Sequence, residues 1–217
     1  MAPPSPAPPS SSPAPRPGSL AARLAGKPLF WSAIIATLFT VPLVRSIRAV
    51  GRLPPPSPIL GQVTPFSLVD QYGHRLGTEE LRGTVWSAQL FRAHGDGAMT
   101  DQMAQLQHHS RGLGQQLHLV SITVDPHADT RAALARYAKK HRASRRAWSF
   151  LTGPRAEVQR AVGGDFGVDL DHVTPALLSR FVLIDRSARI RGTYDLRREG
   201  VRDRLLRDAG LLVNRVD

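Results

Sequence analysis

The sequence predicts an α/β domain, a central mixed sheet flanked by helices, preceded by one N-terminal transmembrane helix. Three observations predict it. From about Leu60 onward strand-like and helix-like patterns alternate, and the series closes in a hairpin and a final helix, which is the pattern of a sheet covered on both faces. An uncharged apolar run extends from Pro28 to Val44, about 25 Å long as a helix and so at the short end of what crosses a bilayer. The 217 residues, 41% of them hydrophobic, suffice for one core of ordinary size plus appendages.

The elements follow in order. Residues 1–27 read as a solvated tail, because eight prolines fall within the first 18 positions among Ser and Ala and no continuous helix can form there. Residues 28–50 read as the transmembrane anchor: Trp31 stands where an interfacial ring belongs, Pro42 only kinks the last turn, and Arg45 and Arg48 can snorkel while Ile47, Ala49 and Val50 extend the apolar length. Two other readings compete. Ala49-Val50-Gly51 has the form of a signal-peptidase site, but Arg45 and Arg48 interrupt the stretch that should stay apolar up to the cut. A buried core helix would show one polar face, whereas this segment is apolar all round. Orientation is not set by charge, since Arg16, Arg23 and Lys27 on one side match Arg45, Arg48 and Arg52 on the other. Residues 51–58, with Leu53-Pro-Pro-Pro-Ser-Pro58, form a stiff linker.

The folded domain occupies residues 59–217. Phe66 to Val69 is a short strand, followed by a turn over Asp70 to His74 and a returning segment. Thr84 to Phe91 is a buried strand. The loop Arg92-Ala-His-Gly-Asp-Gly97 leads into a helix whose face is marked by Met99, Met103, Leu106 and Leu113. Leu117 to Val124 alternates and is rich in β-branched residues, hence a strand. Asp125-Pro126 is expected to start the next helix as cap and first-turn proline, with Leu134, Tyr137 and Ala138 inward. Trp148 to Leu151 is a strand, a helix runs through Val158 and Val162, and Arg180–Ile184 with Arg189–Tyr194 flank Asp185 to Ala188 as a hairpin. A last helix covers Val201 to Leu212.

Charge and sulfur content narrow the function. Basic residues number 29 against 17 acidic, and residues 1–57 carry half of the net charge of +12 with no acidic group. A basic arm around an apolar run suits anionic lipid headgroups. The densest cluster, Lys139 to Arg146, lies at a helix end, where cations are favoured, and lacks interleaved aromatics for base stacking; docking on an acidic partner or lipid is expected, and no nucleic acid. The chain contains no cysteine, so disulfides, thiolate metal sites and thiol redox catalysis are excluded. G-x-S-x-G, H-E-x-x-H and phosphate-loop patterns are missing, and Gly163-Gly164 lacks dinucleotide-site spacing.

Four ordered segments carry a resemblance. Thr123-Val-Asp-Pro-His-Ala-Asp-Thr-Arg-Ala-Ala-Leu-Ala-Arg-Tyr137, Trp148-Ser-Phe-Leu-Thr-Gly153, Phe66-Ser-Leu-Val-Asp-Gln-Tyr-Gly73 and Phe181 to Gly192 resemble segments of the Sco/SenC family. The resemblance covers about Pro58 to Asp195 and implies a thioredoxin-like fold and a membrane-tethered domain on the periplasmic, extracytoplasmic side. It also implies copper handling during cytochrome c oxidase assembly, with a protein partner in that process. The family holds copper with a C-x-x-x-C loop and a distant histidine. Here His94 falls at the first cysteine position, Ala98 at the second, and Leu177 at the histidine position, with His172 five residues earlier. The resemblance therefore implies an inherited fold with a degenerate site.

Replacement donors remain to be weighed. Met99 and Met103 share a helical face just after His94, and Met with His can hold Cu(I) without thiolates; against this, methionines at that spacing serve as core fillers. His94 and Asp96 with His172 would form a harder set of two imidazoles and a carboxylate, against the plainer reading of a solvated polar loop. Asp125, His127 and Asp129 are accounted for by a cap and a helix dipole. His108 and His109 are adjacent and cannot share a face. The metal candidates are thus His94, Met99, Met103 and His172. The resulting expectation is an anchored, non-redox assembly factor with no certain cofactor, the alternative being a copper chaperone with His/Met ligands; a thioredoxin-fold oxidoreductase or peroxidase would lack its nucleophile.

Overall fold

The computed structural model describes residues 28–50, 57–95, 98–111, 116–164 and 166–214; for residues 29, 30, 33, 47–50, 98 and 99 it describes the backbone alone. The expected tail, most of the linker, Asp96 and Leu113 lie outside the described residues. The chain divides into two units, Met1–Pro54 and Pro55–Asp217.

In the first unit α1 spans Pro28–Val50, with Pro42 inside it. Pro28 stands at its start, where a proline lacks nothing the helix needs, and the Ser32 hydroxyl donates to the Pro28 carbonyl at 3.1 Å. Ile35, Leu38, Phe39 and Leu43 are exposed. The segment expected to be transmembrane is therefore helical over the expected residues, but among the described residues no helix is long and apolar enough to cross a membrane. Arg45 closes the apolar run, and several side chains of α1 fall outside the description.

The second unit holds an eight-stranded sheet ordered β1-β8-β7-β4-β5-β6-β2-β3. The strands are β1 (Gly61–Gln62), β2 (Ser67–Asp70), β3 (Arg75–Gly77), β4 (Val85–Phe91), β5 (Leu117–Thr123), β6 (Trp148–Thr152), β7 (Arg180–Ile184) and β8 (Arg189–Asp195). The helices are α2 (Ala98–His109), α3 (Arg131–Lys140), α4 (Arg155–Gly163), the single turn α5 (Pro175–Leu178) and α6 (Val201–Asn214). β4, β5 and β6 pair in parallel, and the other pairings are antiparallel. The sheet is thus mixed, as expected.

Side chains alternate between the faces of a strand, and this alternation splits the core. Trp86, Ala88 and Leu90 of β4 join Val120, Ile122, Val182 and Ile184 beneath Val158 and Val162 of α4. Val85 and Phe91 join Leu119, Phe150, Phe181 and Leu183 beneath α2, α3 and α6, which contribute Met103 and Leu106, Leu134 and Tyr137, and Leu205 and Ala209. Both faces of β4 are buried, as a central strand of a sheet covered by helices on both faces requires.

The helix expected from Asp125 starts later. Thr130 caps α3, its side chain accepting from the Ala133 N–H at 3.3 Å. Residues 125–129 form a separate turn, in which the Asp129 N–H donates to the Asp125 carbonyl at 2.8 Å and the Asp125 carboxylate accepts from the Ala128 N–H at 3.3 Å. Asp129 is not in a first helical turn: its side chain is drawn inward, and that competing demand postpones the helix to Arg131.

Candidate functional site

Parallel pairing sets the location. Phe91 is in register with Thr123, so the segments leaving β4 and β5 emerge side by side at the carboxyl ends of their strands, the edge where open α/β sheets place ligands. The Val124 N–H donates to the Phe91 carbonyl at 3.0 Å and ties the two exits together. Under them Phe91 packs edge-on against Phe150 at 5.3 Å between ring centres and lies 5.7 Å from Tyr137. The hydroxyls of Tyr137 on α3 and Thr100 on α2 are hydrogen-bonded, fixing the start of α2 over that cluster.

The loop is anchored by one carboxylate. Asp129 is 0% exposed. Its oxygens accept from the Ala93 N–H at 3.1 and 3.3 Å and from the Thr123 hydroxyl at 2.5 Å. A buried carboxylate is tolerated only when its lone pairs are filled by donors or cations, and His94 supplies the remaining partner, Nδ1 to Oδ1 at 3.4 Å. The other ring nitrogen lies 3.6 Å from Asp125 Oδ2, so the imidazole is held between two carboxylates with 54% of its side chain exposed. The Thr123 hydroxyl also accepts from the Asp125 N–H at 2.9 Å.

The other candidates are placed elsewhere. Met103 is 0% exposed in the α2/α3/α6 core. Met99 lies in the first turn of α2, and its side chain is outside the described residues. His172, 82% exposed, bonds through Nδ1 to Asp169 Oδ2 at 2.8 Å; this bond and the negative charge of Asp169 push the imidazole pKa up, and Asp169 is correspondingly held below its usual value by the Asp171 N–H first and then by His172. Leu177 packs against the α4-side core and borders, with Ala88, Leu90 and Phe166, a residual cavity of about 10 Å³, room for at most one water molecule. The sequence reading set Asp125 and Asp129 aside as a cap and a helix-dipole residue; the structure brings both carboxylates to His94. The signal that could have kept them was two carboxylates four residues apart immediately after a strand.

In the basic cluster, Arg145 stacks over Tyr72 at 4.0 Å from the ring centre, and His141 lies against Tyr137 at 4.5 Å. Burial, with Lys140 nearby, lowers the His141 pKa.

Cuprous copper selects thiolate and thioether donors. At the loop the described side chains offer one imidazole and two carboxylates, and among the described residues no group of three or more His, Cys, Asp or Glu is arranged to hold a metal ion. The donor set of the described side chains does not fit a cuprous site.

Comparison with known proteins agrees with the fold. The family model for SCO1/SenC matches residues 60–203. A SCO1 protein homolog of Bacillus subtilis (strain 168) is 30% identical over 99 residues, 44% of this chain and 51% of that protein, so the match spans about half the length of the curated relative. Among solved structures, BsSco, described as a member of the Sco family of cytochrome c oxidase assembly proteins with a disulfide switch, aligns with a TM-score of 0.65 at 24% identity, covering 72% of this chain and 96% of that one. A SCO1/SenC family lipoprotein from Bacillus anthracis str. Ames gives 0.62 at 24% identity, over 71% and 96% of the two chains. Copper-bound ScoI of Bradyrhizobium japonicum gives 0.54 at 20% identity, over 70% and 99%. With four family-like segments in order on a sheet of this topology and a family model matched over most of the domain, the chain belongs to the SCO1/SenC family.

Proposed function

We propose that this chain is a membrane-anchored, non-redox binding factor of the SCO1/SenC family, acting in copper-protein assembly of the cytochrome c oxidase type by holding a partner rather than by carrying the metal. The observation that supports it is His94: at the loop position where the family's resemblance places sulfur, an imidazole is clamped between Asp125 and Asp129. That arrangement orders the loop and, among the described side chains, leaves no soft donor to exchange a cuprous ion; with no cysteine in the chain there is no disulfide to exchange. α1 is the anchor, its large apolar residues exposed on several sides as a lipid-facing helix needs, with the domain on the extracytoplasmic side. The chaperone reading, in which His94, Met99, Met103 or His172 carries copper, gains no support from Met103, which is enclosed by core.

The test pairs a binding assay with a cellular one. Cuprous ion is titrated into the purified full chain and into His94→Ala against a chromogenic chelator, and oxidase activity is measured in membranes of a deletion strain carrying either form. Equal, weak copper binding and equal rescue of oxidase activity are expected. Tight binding abolished in His94→Ala, with rescue lost in parallel, would establish the chaperone instead.

A further inference from the structure

At the amino end of β7 lies a second site to which four arginines contribute. Arg180 opens β7 in register with Asp195, the last residue of β8, and the chain then turns through Arg197 and Arg198 into α6, which brings Arg204 to the same place. These residues line a cavity of about 340 Å³, within the size range of small-ligand sites.

The charges in this cavity do not balance. Asp195 is the one carboxylate among the lining residues, and it is already committed: Arg197 binds both its oxygens, at 2.9 and 2.7 Å, holding its pKa far below the carboxylate norm. Asp208, just outside, accepts from the Tyr194 hydroxyl at 2.7 Å and reaches Arg204 only at 3.9 Å. Among the described residues no carboxylate pairs with Arg180 or Arg198. Like charges converging on a partly enclosed volume repel one another, and a multiply charged anion relieves that repulsion. A single carboxylate would offset one guanidinium. A phosphate monoester or pyrophosphate brings two or more charges and oxygens that match the planar guanidinium fork.

We propose that the cavity bounded by Arg180, Arg197, Arg198 and Arg204 is a binding site for a dianionic phosphate group, free or carried on a lipid headgroup. Arg180 and Arg198 are the principal ligands, because their charges are unspent; Arg204 assists, and Arg197 is a positioning residue fixed by Asp195. The site requires no metal and stands whether or not the β4–α2 loop binds copper.

The test uses the full chain in neutral detergent, titrated calorimetrically with pyrophosphate. Arg180→Gln, Arg198→Gln and the double variant are compared with Arg82→Gln/Arg155→Gln, which removes the same formal charge from two surface pairs, with Glu79 and Asp171. Each pocket substitution is expected to weaken binding about tenfold and the double variant more, with affinity falling as salt rises; the control should bind as the parent does. Thermal melts of all forms confirm folding, and the single variants carry the test if the double fails to fold. The source is distinguished by reconstitution into phosphatidylcholine bilayers with or without phosphatidic acid. Loss of pyrophosphate binding only when phosphatidic acid is present assigns the site to a headgroup, and retention assigns it to a soluble phosphate. No pyrophosphate binding by the parent chain, or equal loss in the control, would overturn the proposal.

Discussion

Replacing Asp129 by asparagine should detach the β4–α2 loop from the sheet edge, and the cost follows from the geometry. The carboxylate is fully buried and accepts from two neutral donors, the Ala93 N–H and the Thr123 hydroxyl, besides facing the His94 ring. Hydrogen bonds to a charged acceptor contribute about 1.5–3 kcal/mol each. The amide oxygen, taking the place of Oδ2, which accepts both bonds, keeps them without their charge, a loss of about 1.5 kcal/mol each and about 3 kcal/mol in all. In a domain of this size each kcal/mol moves Tm by about 2–4 °C, which gives a drop of about 6–12 °C. Asp125→Asn is the built-in comparison. Asp125 is 39% exposed and meets His94 at 3.6 Å, and an exposed ion pair contributes about 0–1 kcal/mol, so its Tm should fall by no more than about 4 °C. Thermal unfolding followed by circular dichroism reads both. Equal, small shifts in the two variants would refute the claim that Asp129 anchors the loop.

Three further outcomes are expected. Met103→Ala should destabilise by about 2–5 kcal/mol, the cost of a cavity at a fully buried core position, measured by denaturant unfolding; a cost under about 1 kcal/mol would mean that Met103 is not packed. Burial lowers the His118 pKa in the folded chain, so the unfolded state takes up the proton first: the stability His118 contributes is complete above its ordinary value of about 6.5 and is lost as pH falls below it toward the folded value. His118→Gln, which can still reach Ser149, should flatten the stability–pH slope in that window, and an unchanged slope would contradict it. Arg191→Met removes the partner of Asp185, which is 3% exposed and lies 2.9 Å from the guanidinium; loss of a buried partner costs about 3–5 kcal/mol, and a near-neutral melt would show that Arg189, also at 2.9 Å, carries the charge alone.

How far the sequence was legible depended on what each residue answers to. Strands were readable wherever a local pattern coincided with a global demand: Thr84 to Phe91 is uncharged and mostly apolar because β4 is buried on both faces, and the Asp185 to Ala188 turn declared its hairpin. Asp125-Pro126 misled because cap and first-turn proline are local signals, whereas the fate of Asp129 is decided by Ala93, 36 residues away. The same distance effect hid the candidate site. His94 was visible as a loop residue, but only the parallel β4–β5 register puts two carboxylates against it. The arginine cavity was hidden likewise, since Arg180 and Arg204 come to line one cavity only after β7, β8 and α6 have folded together.

The account rests on a loop that keeps its shape without a grip on soft metal, and a crystal soaked anaerobically with cuprous ion tests this most directly. The prediction is no anomalous copper density between β4 and α2, with His94 still seated between Asp125 and Asp129. A fully occupied copper ion bound to His94 in that loop would contradict it.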